Sequence, residues 1–394
     1  MRNNFYTHSR KNLIILILTL GSVIAIGPLA IDMYLPAFSE IAKDFNADES
    51  LVQLSLTTYF LGIAFGQLLY GPIIDRFGKK PPLIFGLFLF TISSIACCFV
   101  DNINQLILLR LFQALGACAG TVVSRSIVRD LFSPQESGRV FSHLMLVMGI
   151  APIVAPMLGS FLLLKFSWKA IFIFLGLFGI FCLLISYLII PETKGANKDE
   201  KISYAFRKYY GILHDKNFVI CTLSGGFMMA GLFAYITGSP FTYLEFFGLS
   251  SQNYSFLFAI NAVGFISASQ INARLLKKFS MEKVLEKMFF LPAIAGFILI
   301  ILGLNEASFW PVTVTIFIYI FSIGAITPNT VALGLANQEV HSGSAAALLG
   351  TLQFILAALA SFLVSKLHNG GLIPMTFIVG ICGIFAFTSY KSFK

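Results

Sequence analysis

About twelve runs of roughly twenty apolar residues follow one another along this 394-residue chain. Each is long enough to cross a hydrocarbon layer about 30 Å thick. At that length they take up roughly 240 residues, so a separate soluble domain has no room. Backbone groups in lipid must bond within their own segment, which makes each run a helix. The sequence is 57% hydrophobic and 11% charged, whereas a soluble chain is about a quarter charged. The expected spans are 13–36, 51–72, 82–100, 105–124, 140–164, 170–190, 217–238, 252–273, 288–305, 309–331, 343–365 and 372–390. The opening MRNNFYTHSRKNLIILILTL has the order of a secretory signal, basic and then apolar. The apolar stretch continues to Ile31, too long for a signal core. It is read as an uncleaved first helix, with a cleaved signal as the alternative.

The connectors set the orientation, because cytoplasmic loops collect Lys and Arg. With both termini inside, 22 of the 27 basic residues fall on the cytoplasmic side. Lys43, Lys165, Lys169 and Lys366 fall outside. This placement accounts for the net charge of +9 without nucleic acid. The polar stretch 191–216 divides the chain into an N-terminal six-helix bundle, 1–190, and a C-terminal one, 217–394. The stretch itself is a cytoplasmic linker, either an amphipathic segment on the membrane surface or a plain tether. A weak repeat joins the halves: GPIIDRFGKK at 71–80 aligns with SQINARLLKK at 269–278. Parallel six-helix repeats suit the major facilitator fold, although basic residues after a spanning helix are what topology demands anyway.

Two charges lie within the spans, Asp32 and Arg110. Each costs about 2.5 to 3.5 kcal/mol at a helix centre, and such residues mark pathways for ions or substrates. Pro28 and Pro36 flank Asp32, so the first helix is expected to kink there. Burial disfavours a carboxyl's charged form. A carboxyl so placed exchanges protons near neutral pH or attracts a cation; the competing reading puts Asp32 at the outer interface. Arg110 is either a structural hub for nearby carbonyls or a partner that tunes Asp32, level with it in the outer half and paired directly or through water. The second half offers apolar and aromatic faces, among them Phe227, Phe233, Tyr235, Phe256, Phe258 and Phe354. These suit a roomy cavity for lipophilic compounds, or are simply lipid-facing and packing residues. Tyr34, Tyr59, Gln113 and Asn261 are the candidate cavity residues. All six cysteines fall inside apolar runs without metal spacing and are read as packing residues.

Three motifs resemble a known family. Gly71-Pro-Ile-Ile-Asp75-Arg76-Phe-Gly78-Lys79-Lys80-Pro-Pro-Leu83 is similar to the G-x-L-a-D-R-x-G-R/K-K-x-x-L motif of the major facilitator superfamily. Gly71 and Gly78 permit close helix approach and a tight turn, and Asp75 can accept amides at a helix N-terminus. The resemblance implies a cytoplasmic gate, which Asp130 is expected to join. Arg110-Leu-Phe-Gln113-Ala-Leu-Gly116 looks like the R-x-x-Q-G/A-x-G motif, which implies a part for Arg110 in proton coupling. In the fifth helix, Pro152, Pro156 and Gly159 resemble the antiporter motif G-P-x-x-G-G, with Ala155 and Ser160 departing from it. Together these resemble the proton-coupled drug antiporters of the Bcr/CflA (bicyclomycin-resistance) type. The fold implied is all-α, with twelve transmembrane helices in two six-helix halves.

The expected function is export of small, drug-like organic compounds in exchange for protons, by a monomer in the bacterial inner membrane. The alternative is a dedicated exporter of one metabolite, such as a siderophore or an amino acid derivative. The expected partners are a small-molecule substrate, protons and membrane lipid. No cofactor and no metal are expected. No phosphate-binding G-x-x-x-x-G-K-[ST] loop is present, which argues against an ATP-driven pump, and no enzymatic activity is expected.

Overall fold

The computed structural model describes residues 10–132, 134–193, 209–336 and 342–391, and among these there is no strand. The first span is built in three pieces: α1 (Arg10–Asp32), a 3-10 turn (Leu35–Ala37) and α2 (Phe38–Asp44). The chain continues as α3 (Glu49–Phe77), α4 (Lys80–Ala96), α5 (Ile103–Leu131), α6 (Pro134–Lys165) and α7 (Lys169–Ile189). The second half comprises α8 (Lys216–Pro240), α9 (Ser251–Leu275), α10 (Met281–Met288), α11 (Phe290–Leu304), α12 (Phe309–Leu335), α13 (Ser342–Lys366) and α14 (Ile373–Lys391). Among the described residues, eleven helices are long and apolar enough to cross a membrane, and α6 adds the apolar stretch Val147–Leu163.

The helix starts are written in short polar side chains. Asn102 accepts from the Gln105 amide at 3.1 Å, and Asp215 from that of Asn217 at 2.9 Å. Ser250 and Ser280 do the same for α9 and α10, so amides that lack an intrahelical partner are satisfied. The expected spans agree with the helices in number and order. The largest differences lie at the end of the first span, which α2 carries to Asp44, after α8 and before α11. A π turn, Phe241–Phe246, carries the seventh span past its expected end at 238. Residues expected as connector form α10, whose Lys283 and Lys287 are exposed while Val284 and Leu285 are buried. Large apolar side chains such as Phe85, Leu177, Leu188, Phe297 and Trp310 are exposed, as lipid-facing positions must be.

Helices α1 and α3–α7 pack among themselves, as do α8, α9 and α11–α14, so the fold consists of two six-helix halves. Two seams join them, α3 against α13 and α6 against α9. One end of the bundle carries Phe77–Lys80, Leu131, Ile190, Lys216 and Leu275, and is called here the linker end. The opposite end carries Asp44–Glu49, Lys165–Lys169, Phe246–Ser251 and Lys366–Ile373. Within the first half, α4 and α5 approach closely where Gly116 faces the backbone of Gly86 and Phe90. The six cysteines are free thiols, five buried and Cys98 half-buried, consistent with packing roles.

Tyr209 and Ile212 pack with Phe218, Ala345, Leu348 and Leu349 at the linker end. The linker's expected amphipathic part falls largely on 194–208, which lie outside the described residues.

Candidate functional site

The site begins where the first helix stops. Pro28 has no amide hydrogen to donate, and α1 ends one turn later, at Asp32 itself. The next turn is 3-10 and contains Pro36. The expected kink is therefore a helix end followed by a restart. Asp32 is buried, with 4% of its surface exposed, so it does not lie at an open interface. The 3-10 turn beyond it touches α8 and α9 of the other half. The carboxyl lies within electrostatic reach of Tyr59 in its own half and of Tyr254 in the other.

Arg110 is fully buried, about two turns inside the start of α5. The direct form of the expected pairing with Asp32 is not present: among the described residues, no ion pair joins the two. Aromatic rings hold the guanidinium instead. Its carbon stands 4.3 Å from the Tyr59 ring centre, 4.7 Å from that of Tyr34 and 5.9 Å from that of Phe172. Such contacts are worth about 2 kcal/mol or more once water is excluded. Nη1 donates to Gln113 Oε1 at 2.6 Å, and Gln113 Nε2 donates to Ser94 Oγ at 2.8 Å. Nε and Nη2 have no hydrogen-bond partner among the described residues. The spacing of Arg110 and Gln113, three apart on one helix, makes this bond local. Gln113 is buried between α4 and α5, where it braces Arg110 against Ser94.

Tyr34 donates to or accepts from Ser55 at 2.9 Å, while the Tyr59 hydroxyl has no partner. Tyr59 therefore stands between the two charges: its ring lies against Arg110, and Asp32 is within electrostatic reach. In the second half, Asn261 donates to the Tyr235 hydroxyl at 2.9 Å, leaving its own Oδ1 without a partner. Tyr254 and Ser239 share a hydrogen bond of 2.9 Å. Tyr235 stacks on Phe258 at 5.8 Å, and Phe233 packs on Phe60 of the first half at 4.4 Å. Phe256, expected on a cavity face, is 64% exposed and points away from the bundle.

The linker end carries the second constellation. Gly78 ends α3 with φ of +82°, a backbone that L side chains adopt reluctantly. The close helix approach expected at Gly71 is absent: a Cβ there would meet only the Tyr209 hydroxyl, at 3.9 Å. The buried Lys79 forms an ion pair with Asp130, and Thr193 donates to Asp130 at 2.8 Å. Arg76 is exposed, with its guanidinium 5.4 Å from the Phe77 ring centre. Lys80 donates to the Tyr187 carbonyl at 2.6 Å. The amides of Lys79 and Lys80 are accepted by Glu192, at 2.8 and 3.1 Å. That is the role expected of Asp75, whose side chain lies outside the described residues. Glu192 stands in a polar connector 112 residues from Lys80, and its only sequence signal is its position directly after the sixth span.

In the fifth spanning helix, Pro152 and Pro156 lie inside α6. Gly159 abuts the Met33 carbonyl, where any side chain would collide. The helix motif thus presses α6 against the break that bears Asp32.

This is the architecture of a polytopic transporter built from two helical halves with buried charge where they meet. A family model described as Major Facilitator Superfamily matches residues 20–362, and the chain belongs to that superfamily. It is 38% identical over 390 residues to an uncharacterized MFS-type transporter, YdgK, of Bacillus subtilis, covering 97% of each chain. It is 31% identical over 385 residues to a bicyclomycin resistance protein homolog of Haemophilus influenzae, again covering 97% of each. These relatives place it with the Bcr/CflA-type transporters. Among solved structures, a bacterial homolog of the human lysosomal transporter Spinster, inward-facing and unoccupied, superposes with a TM-score of 0.75 at 14% identity, covering 98% of each chain.

Proposed function

We propose that this protein exports small, lipophilic, drug-like compounds in exchange for protons, acting by alternating access as a monomer in the bacterial inner membrane. Both termini face the cytoplasm in this reading, because the linker end collects the basic residues. The observation that carries the proposal is Asp32: a buried carboxyl at a helix break, between the halves, without a described cationic partner. A carboxylate in that place is stabilised by binding a proton or a cation. The proton enters from the opposite end, occupies Asp32 and leaves to the cytoplasm when substrate takes its place. Arg110 is held by rings rather than by a carboxylate, so its charge acts on Asp32 through Tyr59 without neutralising it. Tyr59, Tyr235 and Asn261 offer polar groups among aromatic faces, the mixture that pockets for organic ligands use. Lys79, Asp130, Glu192 and Thr193 tie α3, α4, α5 and the start of the linker together, and form a latch for the cytoplasmic side. The halves 1–190 and 217–394 rock about the two seams.

The test is exchange in proteoliposomes under an imposed pH gradient, with lipophilic cations, neutral antibiotics and siderophores offered in turn. A gradient that moves none of them refutes antiport. Asp32→Asn should abolish gradient-driven movement while leaving substrate-for-substrate exchange; unchanged gradient-driven movement in that variant removes Asp32 from the mechanism.

A further inference from the structure

At the opposite end of the bundle, hydroxyl groups pin both seams. On the seam of α3 and α13, Ser361 is a node. Its Oγ lies 2.7 Å from Thr57 Oγ1 of the first half and 2.8 Å from Thr237 Oγ1 on α8. All three residues are buried, and Ser361 and Thr237 have no exposed surface. Thr57 lies about two turns inside the start of α3, and Ser361 somewhat more than one turn before the end of α13. One turn further out, Ser365 donates to the Ser50 carbonyl at 2.5 Å. At the rim, His368 Nε2 stands 3.7 Å from Glu49 Oε2, and Phe241 packs edge-on to the imidazole at 4.2 Å. The seam of α6 and α9 is fastened in the same way. Ser160 donates to the Ser251 carbonyl at 2.9 Å, Ser255 to that of Pro156 at 3.0 Å, and the two hydroxyls meet at 2.5 Å.

Hydroxyls suit a contact that must open repeatedly. Each donates and accepts, so each has a partner when the seam is dry and finds water when it parts. The net worth of a hydroxyl bond is small, because it is exchanged for bonds to water. An ion pair in the same place would cost several kcal/mol of desolvation each time the seam closed, and an apolar seam would not part into water so readily.

We infer that these hydroxyls form the gate that closes the end opposite the linker, and that Ser361 is its hub, joining Thr57 of the first half to Thr237 of the second. The gate is independent of what is carried and of whether Asp32 carries protons. Loss of the hub breaks two bonds and leaves two buried hydroxyls unpartnered. Loss of Thr57's hydroxyl breaks one and leaves Ser361 its bond to Thr237. The two substitutions therefore differ in size although both remove one oxygen.

The experiment places spin labels on the full chain in lipid nanodiscs through Asp101→Cys and Ser308→Cys, exposed positions of the two halves at this end. Pulsed dipolar spectroscopy then reads short (closed) and long (open) distances without any substrate. Native cysteines are buried or half-buried, and labelling of the chain lacking the two added cysteines measures their background. Ser361→Ala should raise the open-to-closed ratio by about 5–10-fold, and Thr57→Val by no more than about 3-fold, from the range of net hydrogen-bond strengths. Adding Thr57→Val to Ser361→Ala removes one of the two unpartnered hydroxyls and should bring the ratio part of the way back toward the starting value. Ser361→Thr, which restores a hydroxyl, should return the ratio toward the starting value. Equal effects of the two single substitutions, or no shift in either, overturn the assignment. Should Ser361→Ala fail to fold, Thr57→Val, Thr237→Val and their combination decide the matter: the combination must exceed either alone.

Discussion

Gly116 closes the motif that begins with Arg110, and its neighbours show what a side chain there would do. A Cβ at this position would run into Phe90 and the Gly86 carbonyl, both backbone of α4. Backbone does not swing aside as a side chain does, so α5 would have to move away from α4. Overpacking of this kind costs about 1–3 kcal/mol, and a backbone obstacle places the cost at the upper end. Alanine recovers about 1 kcal/mol over glycine in a helix. Gly116→Ala should therefore lose about 1–2 kcal/mol net. Gly27, inside α1, is its control: a Cβ there meets nothing within 4 Å. Gly27→Ala gains about 1 kcal/mol from the same helix preference but returns much of it, because the new Cβ crowds the ring of Pro28 in a helical backbone. Thermal unfolding of the purified proteins in one detergent, followed by size-exclusion fluorescence, compares them directly. The Gly116→Ala melting point should fall clearly below the parent's, while that of Gly27→Ala should stay near it. A Gly116→Ala protein that melts with or above the parent refutes the reasoning, whatever its transport activity. The displacement also strains the bond from Gln113 to Ser94, which spans the same two helices, so transport should fall with stability.

Three further outcomes follow from the geometry. Arg110→Lys keeps the charge but loses the planar surface that stacks on rings and the fork that reaches Gln113. It should lower stability by about 1–2 kcal/mol and transport by more than tenfold; a variant with parental transport would show that charge alone suffices. Glu192→Ala removes the acceptor of two amides at the start of α4, a loss of about 1 kcal/mol, and hydrogen exchange of the Lys79 and Lys80 amides should speed up while that of distant helices stays unchanged. Burial holds the His368 imidazole below its ordinary value, with Asp48 opposing the shift. A histidine with a lowered folded value is protonated more readily when unfolded, so stability should fall as pH drops below about 6.5. In His368→Gln that part of the decline should vanish, and an unaltered profile would show that the imidazole does not contribute.

The helices could be read from the sequence because lipid imposes a length and forbids interruption, so each run of apolar residues has one interpretation. Asp32 was legible for a related reason, since its cost singles it out and the prolines beside it mark the break. The partner of Arg110 was not. Depth along two helices says whether two residues are level but nothing about the direction each faces, and an arginine's natural partner by charge is an acid. Tyr34, Tyr59 and Phe172, which hold it, are indistinguishable in sequence from the chain's other aromatic residues. The hydroxyls of Thr57, Thr237 and Ser361 were hidden for a third reason. Small polar residues in spanning helices bond their own preceding turn just as often, as Thr91 and Ser94 do here. Only the folded arrangement shows which of them reach across.

The aromatic cage around Arg110 also bears on how the membrane voltage acts. A guanidinium fixed among three rings of one half keeps its charge at every stage, so it is a constant in the electrical account of a transport cycle. In the proposed antiport cycle, the charge that changes between the outward and return strokes is then that of Asp32 and of the passenger. One proton in for one neutral molecule out moves a net charge, which a potential of 100 mV, negative inside, favours by about 2.3 kcal/mol. One proton for one monovalent cation moves none. Comparing efflux with the potential clamped and released, at fixed pH gradient, thus reads the charge of the passenger without identifying it.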